Sequence, residues 1–346
     1  MRPVMRLWLA AAALIAAGAL GAGIALGLRS PQVSHDSPAA RPPGPSRAPA
    51  SPAAAAPQTA AYSLRTLDDT GDDTFNQLLG INNTGHIAGY FGSGAAGHPS
   101  RGYILRPPYG PSRYQDIDVP GSAQTQLTGL NDEGVQVGFS SARSVAGPAG
   151  GSTAFVLEDG RFTSVGFPPG DSSSPPVNQL LGVDDHDVAV GFYTDAQGHD
   201  HGYRYDIATR RFSPVLVPGA ASVTAAAINN SGSVAGFFTG RGHPTEGFFL
   251  RRADQLYLLR VPGATMTEAL GVNDNGEVVG AYRLGNGSGA VTRGFTWTRE
   301  HGFATVDGPD GAAATTINGV NNAGDLVGFY VSRDGQTDGL VATPDR

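Results

Sequence analysis

Imidazoles and carboxylates that could act together occur at His199, Asp200, His201, His243 and Glu246 of the 346-residue chain. Such groups can ligate a metal or move protons. A second acidic stretch, Asp68-Asp69-Thr70-Gly71-Asp72-Asp73, invites a calcium reading. Calcium loops, however, draw about six to eight oxygens from defined positions, and the D-x-[DN]-x-[DN]-G-x₅-E spacing is absent. A third set, Asn76, Thr125, Asn178, Thr267 and Thr315, consists of short polar residues at one recurring position, with Val223 as the sixth member. They are expected to line a central channel, binding a ligand or water there. Gly285-Asn286-Gly287-Ser288-Gly289 is glycine-rich, but no helix follows it to complete a phosphate cradle. No nucleophile motif is present, so no catalytic residue is assigned. The absence of cysteine excludes a disulfide scaffold, a thiol nucleophile and a zinc–cysteine site.

These side chains must be positioned by strands. Glycine (50) and proline (25) make up just over a fifth of the chain, which favours short strands and tight turns over long helices. Six segments align: GINNTGHIAGYF (80–91), GLNDEGVQVGFS (129–140), GVDDHDVAVGFY (182–193), AINNSGSVAGFF (227–238), GVNDNGEVVGAY (271–282) and GVNNAGDLVGFY (319–330). Their anchors are Asn82, Asn131, Asp184, Asn229, Asn273 and Asn321, spaced 49, 53, 45, 44 and 48 apart. A repeat of this period outweighs local propensity in deciding the fold.

Each unit reads as four strands. The first ends at the anchor. An N-N-x-G turn follows, its asparagine and glycine expected to supply positive φ. The second is the alternating run, such as His86–Phe91; the third carries Gly-aromatic, as in Gly202-Tyr203; the fourth ends in V-P-G, as in Val215–Gly219. The last unit stops after a third strand, Gly339–Ala342, while Leu64–Gly71 is an orphan fourth strand at the start. The expectation is all-β: a six-bladed β-propeller of four-stranded blades over residues 62–346, closed by an N-terminal strand that completes the last blade. The third candidate surface is the face carrying the loops between second and third strands, where the histidines and Glu246 fall.

Residues 7–28 hold no charge and follow Arg2 and Arg6. As a helix they would reach roughly 33 Å, enough for a bilayer core. Residues 1–28 are therefore expected to be a signal peptide or, preferably, a signal-anchor helix with its N-terminus in the cytoplasm. Residues 29–61 contain eight prolines among alanine and serine and are expected to form a disordered linker. Residues 62–346 carry 18 arginines and no lysine against 29 acids, a poor counterion-releasing surface, so nucleic acid is not an expected partner.

The units resemble the HAF-type extracellular repeat, with its G-I-N-x-x-G-x-V-V-G core, H-G-F and V-P-G-like ending. The match is best over 182–219 and covers about residues 62–346. Ala227, Asp187 and Ala281 depart from the pattern. The resemblance implies an envelope-associated or secreted propeller and brings no catalytic residues; within it, His201 holds the ordinary H-G-F position. The expected function is a non-catalytic binding module, monomeric and without cofactor, tethered to the membrane through residues 7–28. It would take a protein or glycan ligand. The alternatives are an envelope lyase or hydrolase using the central pocket, with a divalent metal held by His199, His201, His243 or Glu246, and a structural spacer without ligand.

Overall fold

The computed structural model describes residues 58–68, 71–95, 97–142, 151–166, 173–174, 176–240, 244–251 and 255–345. The N-terminal segment 1–28, most of the linker and His243 lie outside the described residues. Among those residues the chain is all-β and propeller-like, with only single 3₁₀ turns at Pro111–Arg113 and Gly287–Gly289 besides strands.

Four separate four-stranded antiparallel sheets follow one another. The first holds β3 (Asn76–Ile81), β4 (Ile87–Phe91), β5 (Arg101–Leu105) and β6 (Tyr114–Ile117). The second holds β7 (Gln124–Leu130), β8 (Gln136–Ser141), β9 (Thr153–Glu158) and β10 (Arg161–Val165). The third holds β11 (Asn178–Val183), β12 (Val188–Thr194), β13 (Asp200–Asp206) and β14 (Arg211–Pro214). The fourth holds β15 (Ala220–Ile228), β16 (Val234–Gly240), β17 (Glu246–Arg251) and β18 (Gln255–Leu259).

The remaining strands form one nine-stranded sheet. It contains the meander β19 (Ala264–Val272), β20 (Val278–Leu284), β21 (Val291–Thr298) and β22 (Gly302–Val306). It also contains β23 (Ala314–Val320), β24 (Leu326–Val331) and β25 (Thr337–Pro344), with β2 (Tyr62–Leu67) antiparallel beside β25. A single pairing, Thr292 with Ala314, joins the two parts. β1 (Gln58–Thr59) runs parallel to β22, so ordered pairing begins within the stretch read from sequence as linker.

Two glycine positions explain the repeat. At the hairpins, Gly85, Gly134, Gly232, Gly276 and Gly324 take φ of 74–94°, and Asp187 accepts φ 59° where the turn glycine is missing. The two Asn/Asp residues of the turn do not have positive φ, contrary to the sequence expectation. Seven residues after each anchor, Gly89, Gly138, Gly191, Gly236, Gly280 and Gly328 lie under a carbonyl oxygen of the paired first strand. A Cβ there would collide with backbone, so the second strand tolerates only glycine. V-P-G falls just beyond the fourth strand rather than within it. Ser122, Ala220 and Ala264 donate from N–H to the carbonyls of Val119, Val217 and Val261, and the glycines take φ near 80°. Proline at the second place and glycine at the third form the type II turn that redirects the chain toward the next sheet.

The core sits between sheets. One cluster joins Val137, Ala154 and Val165 of the second sheet to Leu180, Tyr203 and Tyr205 of the third. Others repeat this packing onward, including Leu67, Val327 and Val341 against Leu78, Ile87 and Tyr103.

Candidate functional site

The residues expected to line the channel do something else. Asn76 Nδ2 donates to Leu67 O at 2.6 Å, and Asn178 Nδ2 to Val165 O at 3.1 Å. Thr125 Oγ1 accepts from Val119 N at 3.0 Å, Thr267 Oγ1 from Val261 N at 3.1 Å, and Thr315 Oγ1 from Gly308 N at 2.8 Å. All five are buried, and each fastens the end of the preceding fourth strand or its crossing to the next first strand. Tyr103 and Tyr203 hydroxyls lock Asn76 and Asn178 from the other side, each at 2.6 Å. Val223 packs in the apolar core.

Strand alternation is the reason. Neighbouring residues point to opposite faces, so an assignment displaced by one position puts the wrong row at the axis. The observed axial row lies three residues before each anchor. Leu79, Thr128, Leu181, Ala226, Leu270 and Asn318 surround a cavity of about 20 Å³, a volume fit for about one water. Each is the extra residue of a β-bulge in its first strand, a feature that residue type alone does not reveal.

At the hairpin mouth of that axis, the second residue of each turn forms a hydrogen-bonded cycle. Asn83 N donates to Asp132 Oδ1, Asp132 N to Asp185 Oδ1, and Asp185 N to Asn230 Oδ1, each at 2.8 Å. Asn230 N then donates to Asp274 Oδ1 (2.8 Å), Asp274 N to Asn322 Oδ1 (2.9 Å), and Asn322 N returns to Asn83 Oδ1 (2.8 Å). The anchors add a second tier: Asn82, Asn131, Asn229 and Asn273 each donate from Nδ2 to the next anchor's carbonyl at 2.8–3.0 Å. Asp184 has no amide to donate, and Asn321 turns its amide to Asp325 Oδ2. Sequence reading treated these residues as turn formers and missed this linking role. The signal available was that the second turn position is Asn or Asp in all six units, although the turn itself does not require it.

On the opposite face, the histidine grouping forms a local arrangement. Asp195 Oδ1 accepts the amides of Gln197 and His199, and Oδ2 lies 2.8 Å from His201 Nε2 and 3.4 Å from His199 Nδ1. Burial opposes ionisation, yet these hydrogen bonds hold the Asp195 carboxyl below its ordinary range. Glu246 is committed elsewhere, to the Arg260 guanidinium. Among the described residues no three His, Cys, Asp or Glu side chains are grouped to hold a metal ion.

His201 and Asp200 do border a cavity of about 330 Å³ beside the crossing from β14 to β15. Its walls include Tyr193, Tyr203, Phe212, Pro214 and Val217. The Tyr193 ring stacks on His201 with centroids 5.0 Å apart and planes inclined by 19°. Asp200 Oδ1 accepts from Thr194 Oγ1 at 2.8 Å, and burial pushes its carboxyl up to about 6. Leu216, 71% exposed, stands among the lining residues. An apolar wall, a flat ring pair and one carboxyl suit a small ligand that is partly apolar and carries hydrogen-bond donors.

No family model matches the chain, and no curated protein matches it. Among solved structures it is similar to AofleA from Arthrobotrys oligospora, with TM-score 0.50 and 10% identity over 82% of this chain and 86% of that one. It is also similar to TolB from Acinetobacter baumannii (TM-score 0.47, 12% identity, 79% of this chain and 66% of that one). A streptogramin B lyase matches with TM-score 0.45 and 12% identity over 82% and 88% of the two chains. At these identities the likeness is one of fold: the chain is a β-propeller module.

Proposed function

We propose that the chain is a six-bladed propeller of the HAF-type repeat family, exported and membrane-tethered through residues 7–28, that serves as a non-catalytic binding module at the cell envelope. The ring reading is supported by the six-membered hydrogen-bond cycle and by β2 taking the fourth place beside β25. The export reading rests on the uncharged run after Arg2 and Arg6 and on the proline-rich stretch behind it. The 330 Å³ cavity with its Tyr193–His201 wall and Asp200 carboxyl carries the binding reading. Its size falls in the range of about 300–1,000 Å³ usual for ligand sites. The ligand is a glycan or a protein loop.

A pull-down of the full chain on peptidoglycan and on a glycan array tests this. Retention that falls at least about ten-fold in Asp200→Asn and His201→Ala is expected, from the loss of about 1.4 kcal/mol or more of contact energy. Absence of retention on every surface would favour the spacer. Stoichiometric metal that is lost in both His199→Ala and His243→Ala, assayed on the same preparations, would favour the lyase or hydrolase reading, in which a divalent metal is optional.

A further inference from the structure

The cavity beside the crossing from β14 to β15 lies at the one joint where the repeat loses its fastening bond. Six residues before the anchor, five units carry Asn or Thr. Each of those side chains holds the end of the preceding fourth strand or the crossing that follows it. The fourth unit carries Val223 instead. Thr125, Thr267 and Thr315 accept the amides of Val119, Val261 and Gly308, but the matching amide of Val217 receives no side-chain acceptor among the described residues. Val217 and Val223 both border the cavity of about 330 Å³. The crossing that lacks its tie is thus the one with a hollow beside it.

Two further positions depart from the repeat at the same joint. At the place held by Ser100, Ser152, Thr245, Thr292 and Thr337 in the other units, the third unit has Asp200. The next residue along the third strand forms a cross-strand ion pair in three units: Arg101 with Asp118, Glu246 with Arg260, and Arg293 with Asp307. The third unit has His201 and Leu216 at those two places. Its imidazole is turned to Asp195 at 2.8 Å, and the exposed leucine borders the cavity. A hydroxyl has become a carboxyl, a charge has become an apolar side chain, and a tie has been removed, all around one space.

The lining selects the ligand. Apart from the Asp200 carboxyl and an imidazole already bonded to Asp195, the lining side chains are uncharged, and none is an arginine. An anion would meet Asp200 with no cation to receive it. A hydrocarbon would leave both the carboxyl and the Val217 amide unsatisfied. An ammonium group would pair with Asp200 but bring no acceptor to Val217 N. A peptide that adds a strand needs a backbone edge, and β14 has four residues and ends on Pro214, which lacks an N–H. Hydroxyl groups both donate and accept. One can donate to Asp200 Oδ2, since among the described residues only Oδ1 takes a side-chain bond, from Thr194. Another can accept from Val217 N. Tyr193, Phe212 and Pro214 supply apolar surface for the C–H groups between such hydroxyls.

We propose that this cavity takes one uncharged pyranose unit of a glycan, its hydroxyls shared between the Asp200 carboxylate and the Val217 amide. The pyranose site rests on the binding reading of the same cavity and narrows the ligand there to a neutral sugar. The full chain, in a detergent without a sugar headgroup, is titrated at pH 8 with the methyl glycosides of glucose, galactose, mannose and N-acetylglucosamine. Methyl glucuronide and a blocked trialanine peptide are titrated in parallel. Ligand-observed saturation-transfer NMR is the readout.

Saturable binding of at least one neutral glycoside is expected, with none of the glucuronide or the peptide. Affinity should fall at least ten-fold in Asp200→Ser, which installs the residue type of the other units. It should fall as far in Val223→Thr, which supplies the missing acceptor, and there the Val217 amide should exchange its hydrogen more slowly in the absence of sugar. Should Val223→Thr fail to fold, Asp200→Ser carries the test. No saturable binding of any neutral glycoside, equally tight binding of the glucuronide or the peptide, or unchanged affinity in either folded variant would overturn the proposal. Retention of the chain on the glycan array without binding of any free glycoside would remove the pyranose site and leave the binding reading standing; failure of both would remove the two together.

Discussion

Glu268 is where burial and ionisation pull in opposite directions. In the unfolded chain its carboxyl releases its proton near 4.5, whereas burial in the fold pushes this to about 7. Between those values the native state keeps a proton that the unfolded state has lost, so stability falls as pH rises and levels off above the native value. Glu268→Gln removes this dependence. Wild type and variant should unfold at similar temperatures at pH 4. At pH 8 the variant should be the more stable by roughly 3 kcal/mol, the free energy of a shift of this size. Thermal unfolding followed from pH 4 to 9 checks it; parallel curves throughout would mean that the carboxylate is solvated or paired. Asp200, pushed up to about 6 for the same reason, adds a slope of the same sign that the variant leaves in place.

Hairpins are the elements that tie one sheet to the next. Four anchors donate an amide to the following anchor's carbonyl, while Asp184 cannot reach Asn229 O with a donor. Burial also raises the Asp184 carboxyl above its ordinary range. Asp184→Asn should supply the missing link, gaining about 1 kcal/mol and raising the unfolding temperature by about 2–4 °C. Calorimetry at pH 7 measures this, and a loss of stability would contradict the linking role of the tier. The strands and turns of each unit were legible in the sequence because glycine marks both the hairpin and the crowded second strand. The phase of the inner strand was not. Polarity six residues before the anchor suggested a channel, but the bulge three residues before it turns the other row inward. The hairpin cycle was hidden for a different reason: its partners are 44–53 residues apart, or 239 for Asn322 and Asn83, and a repeat does not name the neighbour each copy touches.

At the scale of the whole molecule, the pocket near His201 lies on the face that carries the variable loops, while the hairpin face is consumed by its own hydrogen bonds. Such a division leaves one face for structure and one for partners. Sequence grouped His199 and His201 with Glu246, whose carboxylate belongs to Arg260, and with His243, which lies outside the described residues. Under the proposed ring, β2 beside β25 is the closing strand, and an open ring would let the axial rows separate. The chain has no cysteine, so an introduced pair reports closure without interference. Ser63 and Thr343 are exposed partners across the β2–β25 ladder, at the Cα separation of about 4.5–5.5 Å that a disulfide accommodates. Ser63→Cys with Thr343→Cys should oxidise to an intramolecular disulfide, seen as a reductant-sensitive mobility shift, while Ser63→Cys with Asp325→Cys should not. Failure of the first pair to cross-link, or equal cross-linking of both, would contradict the closed ring.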